Sequence, residues 1–355
     1  MKLHTAMLFA LWAVSPSTAI GPPAAKHKKI IIDTDIFSDV DDVGSLAVAN
    51  VLHSCGIADI AGIAINTNSK YGALAASAIN TNFGNSDIPI AAMRPLTNES
   101  FFDDWAFTLS EYASKLAYNF PRSLNDSSLT PTPLSMYRSI LSSAKDHSVT
   151  IISIGFLTNL VELMESPADD SSPLPGKALI SAKVKEFVVM GGEYPSGWEY
   201  NFGGEDPEST VHAINNWPRD VPITFLGSKL GASVRSGAGI PAGAPKSSPV
   251  RAAYEWYVGR CSTVRESWDP LTTLYGILGL DASPRLGIGK VFEYANKIGY
   301  NHVSADGSNT WVNDTSVTNQ HWLKLTDGVT NTTMARLLDE FYTYSPSHGK
   351  CRFRY

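Results

Sequence analysis

Ile30-Ile31-Ile32-Asp33-Thr34-Asp35-Ile36-Phe37-Ser38-Asp39-Val40-Asp41-Asp42, followed by Val43-Gly44-Ser45-Leu46-Ala47, passes from a β-branched run through an acidic loop into apolar residues at helical spacing. A short continuous apolar run predicts a strand buried on both faces, and the spacing over 43–52 predicts a helix. The strand, loop, helix unit recurs at 60–65 with 73–82, at 149–154 with 157–164, and at 186–190 with 207–215. Alternation of this kind predicts an α/β domain with a mostly parallel, Rossmann-like sheet flanked by helices on both faces. Further strands are expected at 88–93 and 222–226, helices at 103–118 and 133–144, and a surface loop between those two helices. A flexible, Gly- and Pro-rich excursion is expected at 236–249. No internal repeat or domain boundary is evident, so 30–355 reads as one domain.

In such a sheet, ligands bind beyond the carboxyl ends of the strands. The residues that follow each strand are polar: the five aspartates Asp33 to Asp42, then Asn66 and Asn68, Thr158 and Asn159, and after Gly191-Gly192 come Glu193, Glu199 and Asn201. A like-charge pair 4 Å apart costs roughly 4 kcal/mol at an effective dielectric of 20, so five aspartates within ten residues need compensation. A helix N-terminus supplies only about half a positive charge. A hard divalent cation with carboxylate ligands, Ca²⁺ or Mg²⁺, fits better. The plainer reading, a helix cap and a solvated turn, explains one or two of the five.

A strand ending in Asp-x-Asp also opens the haloacid-dehalogenase-type phosphatases, but Phe37 and the pair Asp41-Asp42 do not fit that pattern. The opening Ile30 to Asp35 with Asp41-Asp42 resembles instead the inosine-uridine-preferring nucleoside hydrolases, whose fingerprint is Asp-x-Asp-Pro-Gly-x-Asp-Asp. Here Ile36-Phe37 replaces Pro-Gly and the loop is two residues longer, which brings in Asp39. Gly155-Phe156-Leu157-Thr158-Asn159 is similar to the family's Gly-Pro-Leu-Thr-Asn segment. Met190-Gly-Gly, Glu199-Tyr-Asn201-Phe and Asp206-Pro-Glu208 are similar to its Glu-Phe-Asn and Asp-Pro-Glu block, and Trp268-Asp269-Pro270 stands where its late metal-binding Asp falls.

The resemblance implies the nucleoside hydrolase fold and one Ca²⁺ held by Asp35, Asp42, Asp269 and the backbone carbonyl of Thr158. It implies Asp35 as general base, and Asp41, Asn68, Glu199 and Asn201 on the sugar hydroxyls, with Asn68 preferred to Asn66. The reaction implied is Ca²⁺-dependent hydrolysis of the N-glycosidic bond of purine or pyrimidine ribonucleosides, releasing base and ribose. Two alternatives stay open: a nucleoside- or sugar-binding protein of the same fold that has lost turnover, and a hydrolase of another N-riboside. Many family members carry a His before the late Asp, proposed to protonate the leaving base. Here Trp268 occupies that place, and an indole stacks on a base but is no acid. Protonation would then fall to another group such as Glu193, or the base would leave easily.

Several of these residues also have structural readings. Thr158-Asn159 and Asp269 fit helix caps, and Asp206-Pro207-Glu208 reads as N-cap, first-turn Pro and acidic first turn. Glu199 and Asn201 fit one side of an extended segment. Asp33 is expected at most to orient the loop. Aromatic stretches at 101–105 and 194–198 are candidates for a base pocket or for core.

Composition narrows the partners. Lys and Arg total 28 against 34 Asp and Glu, a net charge of -6, which offers no cationic face for a nucleic-acid polymer. The apolar run 6–14 with Ser17-Thr18-Ala19 reads as a signal peptide over 1–19, with a linker at 20–29. That run is shorter than the roughly 20 residues a bilayer span needs, and no membrane partner is expected. Asn98, Asn125, Asn313 and Asn331 open Asn-x-Ser/Thr sites, as in a secreted, N-glycosylated protein. A homo-oligomer is compatible with the sequence. Three cysteines exclude a disulfide-dense scaffold or a cysteine zinc site. Pairing of Cys261 with Cys351, with Cys55 buried and free, is the expectation.

Overall fold

The computed structural model describes residues 27–100, 111–280, 289–345 and 351. Among them the strands in chain order are β1 (Lys28–Thr34), β2 (Ala58–Ile65), β3 (Ile90–Ala92), β4 (Val149–Ile154), β5 (Val184–Met190), β6 (Ser196–Gly197), β7 (Ile223–Leu226), β8 (Arg235–Ser236), β9 (Arg265–Glu266), β10 (Phe292–Tyr294), β11 (Tyr300–Val303), β12 (Asn309–Val312) and β13 (Gln320–Leu325). Eight of them form one sheet in the order β10-β13-β7-β5-β4-β1-β2-β3. Every pairing in it is parallel except β10 with β13. The mostly parallel α/β sheet expected from the sequence is therefore present.

Its strands are buried on both faces, as parallel strands are. Ile30 and Ile32 enter one core with Val43 and Leu46 of helix Asp41–Ser54 and Leu271 and Leu274 of helix Trp268–Leu278. Ile31 enters the other with Tyr137 of helix Pro133–Ser143 and Leu160 of helix Thr158–Glu165. From β1 the chain moves outward through β2 to β3, then returns to β4 on the opposite side of β1. The order reverses between β1 and β4, and a crevice opens beyond the carboxyl ends of strands at such a reversal.

Four expectations change. The region 236–249 is ordered, with helix Ile240–Gly243 and the start of helix Pro249–Tyr257 inside it. Of the helix expected at 103–118, the part 103–110 lies outside the described residues, and helix Ala113–Asn119 covers the rest. A three-stranded antiparallel sheet, β11-β12-β6, was not expected, because its strands are only two to four residues long. The disulfide joins Cys55 to Cys351, with Cα atoms 5.4 Å apart, and Cys261 is exposed and free. Cys55 follows helix Asp41–Ser54, and tertiary proximity rather than sequence spacing brings Cys351 to it. The proposed leader 1–19 lies outside the described residues.

Candidate functional site

The acidic loop leaves β1 at the reversal of strand order. Gly155, which follows β4, packs directly against it: a Cβ there would lie 2.6 Å from the Asp35 nitrogen and 2.7 Å from its Oδ1. Only a residue without a side chain lets the two strand ends approach this closely.

Asp33 faces inward, away from the crevice. Tyr137 Oη donates to its Oδ2 at 2.7 Å, and Asn66 and Asn159 donate their amides to it. Burial pushes its carboxyl up to about 6 against those three hydrogen bonds. Asn159 thus fixes Asp33 and caps nothing, since the N-cap of helix Thr158–Glu165 is Leu157 without a side-chain bond.

Asp35, Asp42 and Asp269 converge, with one ligand oxygen from each within 4.8 Å of the others, all three buried. Asp42 accepts from Thr34 Oγ1, and Ser38 Oγ donates to Asp35 at 3.2 Å. Burial, then the charge of Asp35, holds Asp42 well above the usual carboxylate range. Burial pushes Asp35 up to about 7, with Asp39 and Glu199 adding to it against hydrogen bonds from the backbone and Ser38. Asp269 is raised by burial and then by Asp41 and Asp42. Among the described residues none of the three has a cationic side chain in salt-bridge contact. Three buried hard-oxygen donors with unneutralised charge fit a hard divalent cation.

Asp41 supports this geometry from outside the triad. Its Oδ2 accepts the backbone N–H of Asp269 at 3.1 Å, so it satisfies an orphan donor in the first turn of helix Trp268–Leu278. Asp269 is not the cap of that helix; Ser267 occupies the position.

A crevice of about 600 Å³ is lined by Asp35, Asp41, Asp42 and Asp269 together with Glu199, Asn201, Trp268, Trp198, Tyr200, Tyr257 and Arg265. Its volume is that of a small-molecule site. Glu199 does not sit on an extended segment with Asn201. It caps the short helix Tyr200–Gly203, taking N–H bonds from Asn201, Phe202 and Gly192, and burial against those bonds puts its carboxyl at about 7. Gly192 has φ +76°, a conformation that turns its N–H toward Glu199 and that favours glycine. Asp206 caps helix Pro207–Asn215 as expected, and Thr158 Oγ1 donates to it at 2.9 Å.

Thr158, Asn66, Asn68 and Glu193 are not among the residues that line the crevice. Asn68 donates its amide to the Pro95 carbonyl at 2.7 Å, and Asn66 is committed to Asp33 and the Phe156 carbonyl. Glu193 pairs with Lys229 outside the crevice, so nothing here directs its proton at a leaving group. Tyr194 belongs to the core, stacked on Trp322 at 5.6 Å, while Trp198 stands on the rim. The aromatic stretch 101–105 lies outside the described residues.

Arg265 was missed. Its Nε reaches both Asp39 oxygens at 3.0 and 3.1 Å, and its Nη1 reaches Glu266 at 3.1 Å. Burial opposes its charge, and Asp39 more than offsets that, raising its pKa. The guanidinium lies 5.2 Å from the Trp268 ring centre and 5.7 Å from that of Tyr257. Asp39, the inserted aspartate, is therefore an ion-pair partner rather than a fourth member of the triad. Its partner is 226 residues away, and no local signal announces it.

No protein-family model matches the sequence, and no curated protein matches it significantly. Solved structures do. A plant nucleoside hydrolase, PpNRh1, superposes with a TM-score of 0.61 over 90% of this chain and 99% of its own, at 18% identity. An inosine-uridine preferring nucleoside hydrolase from Bacillus anthracis gives 0.56 over 88% and 99%, at 16% identity. The type III effector protein XopQ, solved in complex with adenosine diphosphate ribose, gives 0.59 over 89% and 94%, at 14% identity. The chain thus has the fold of the nucleoside hydrolases.

Proposed function

We propose that the protein is a Ca²⁺-dependent N-riboside hydrolase that cleaves purine or pyrimidine ribonucleosides to base and ribose. The observation that carries this reading is the convergence of Asp35, Asp42 and Asp269, buried and unneutralised, in the crevice at the strand-order reversal of a nucleoside hydrolase fold. These carboxylates, with the Thr158 carbonyl that the sequence motif suggests, would hold the ion, which when bound polarises a water and fixes sugar hydroxyls.

The chain's own residues divide the remaining work. Asp35 takes the water's proton as general base. Asp41, held by the Asp269 N–H, and Glu199, held by three backbone N–H groups, present carboxylate oxygens to the ribose and stabilise positive charge developing on it. Asn201 adds an amide beside them. Asn68 has no part in this arrangement. Trp268 lines the crevice but brings no proton to a leaving base, because its N–H is spent on the Ser228 carbonyl at 2.9 Å and an indole is no acid.

Incubation of the Ca²⁺-loaded protein with inosine, uridine and nicotinamide riboside tests the reading: free base and reducing sugar should appear in equal amounts. A second reading, a binder without turnover, draws on Trp268 in place of an acid and on a neighbour of this fold solved with ADP-ribose. Tight calorimetric binding of a nucleoside without product would favour it.

Secretion belongs to the same proposal. All four candidate glycosylation asparagines are exposed, and the Cys55–Cys351 disulfide suits an oxidising compartment. Loss of mass on treatment with an N-glycan-cleaving enzyme, and a mature N-terminus near residue 20, are the expected results. Unmodified, uncleaved protein recovered from the cell interior would contradict them.

A further inference from the structure

The crevice is asymmetric in a way the hydrolase reading does not use. Five aspartates and two glutamates line it against a single cation, Arg265, among the described residues. A divalent ion would offset two of those charges, and the crevice stays anionic. Among the described residues no His or Lys lines it. The Trp268 N–H is committed to Ser228, and the Arg265 guanidinium to Asp39 and Glu266. An anionic or strongly basic leaving group therefore meets neither an imidazole acid nor an uncommitted cation.

The two aromatic walls also differ. On one, the faces of Trp268 and Tyr257 already carry the protein's own guanidinium. On the other, Trp198 and Tyr200 are 49% and 42% exposed, with ring centres 6.5 Å apart in an edge-on arrangement. Glu205 lies beside them, accepting from Tyr200 Oη at 3.0 Å. Aromatic faces beside a carboxylate are the composition that recognises a delocalised organic cation.

We propose, building on the hydrolase reading, that the preferred substrates are N-ribosides with a cationic aromatic aglycone, a pyridinium or an N-alkylated purinium, held against Trp198, Tyr200 and Glu205. In such a substrate the ring nitrogen is already positively charged. When the C1′–N bond breaks, its electron pair neutralises that nitrogen and the base departs neutral without a proton donor. The water oxygen bonds to C1′, and its proton passes to Asp35 and then to solvent. Stacking alone suffices where Trp268 replaces an acid.

The test compares two unreactive ribosides of matched shape on the Ca²⁺-loaded protein: carbocyclic nicotinamide riboside, which is cationic, and benzamide riboside, which is neutral. Titration calorimetry should show the cation bound about tenfold more tightly at low salt, with the gap narrowing at high salt as the anionic crevice is screened. Glu205→Gln should narrow it with little effect on the neutral compound, and Trp198→Ala should weaken both ribosides but the cation more, which also narrows the gap. Equal affinities, tighter binding of the neutral riboside, or a salt-independent gap would overturn the proposal, even if inosine and uridine are hydrolysed. A clear cation preference without hydrolysis of any riboside would sink the hydrolase reading alone, because neither probe needs turnover.

Discussion

Asp33 is fully buried, accepts hydrogen bonds from Tyr137, Asn66 and Asn159 and does not line the crevice, whereas Asp35, two residues on, does. The two carboxylates should respond differently to loss of charge. Asp33→Asn sets an amide against two buried amide donors, and should lower stability by about 1–3 kcal/mol in denaturant titrations. Asp35→Asn should leave the unfolding midpoint of the Ca²⁺-free protein unchanged or higher, because a neutral amide replaces a buried carboxyl whose ionisation burial and its acidic neighbours oppose. Its turnover should fall by about 10²- to 10⁴-fold, the range of a lost general base. Similar stability losses in both variants, with activity following stability, would mean that Asp35 is only structural.

The elements that assemble the triad are β1, β4 and helix Trp268–Leu278. Gly155 controls the contact between the first two, so Gly155→Ala should displace Asp35 by steric pressure while the rest of the sheet is unaltered. Ca²⁺ affinity should weaken about 10- to 100-fold, as for other residues that orient metal ligands, with the far-ultraviolet spectrum preserved. Unchanged Ca²⁺ affinity would refute the steric role. At this scale the sequence was most legible where period and chemistry coincide. The run Ile30 to Ile32 and the aspartates after it announce both a buried strand and a site, and Asp206-Pro207-Glu208 announces its own cap. Glu199 and Asn201 were legible as neighbours but not as a helix turn, because the bonds that fold them come from Gly192 and from Glu199 capping the residues after it. Short strands such as β6 and β12 have too few residues for a period to show.

Over the whole molecule, what could not be read is what depends on distant partners. Asp39 with Arg265, Cys55 with Cys351, and Asn66 with Asp33 are each set by the folded arrangement and leave no local trace. Charge has a global consequence as well. Asp33, Asp35 and Glu199, pushed up to about 6, 7 and 7, keep protons in the folded, metal-free chain at pH values where the unfolded chain has released them. Folding then takes up protons, so stability of the metal-free protein should fall as pH rises from about 4 to 7. The proposed Ca²⁺ would bind the deprotonated carboxylates and should restore the melting temperature most at the upper end of that window. Scanning calorimetry with chelator and with Ca²⁺ at several pH values checks this; a metal-free melting temperature that rises over the interval would contradict it.

The central claim, that one ion held by Asp35, Asp42 and Asp269 supports N-riboside hydrolysis, is tested most directly by titrating Ca²⁺ into chelator-stripped protein while following ribose release from inosine or nicotinamide riboside. No release is expected before addition, and then a rise that saturates as a single site fills. Release that is already complete without Ca²⁺, or absent at every Ca²⁺ concentration, would contradict it.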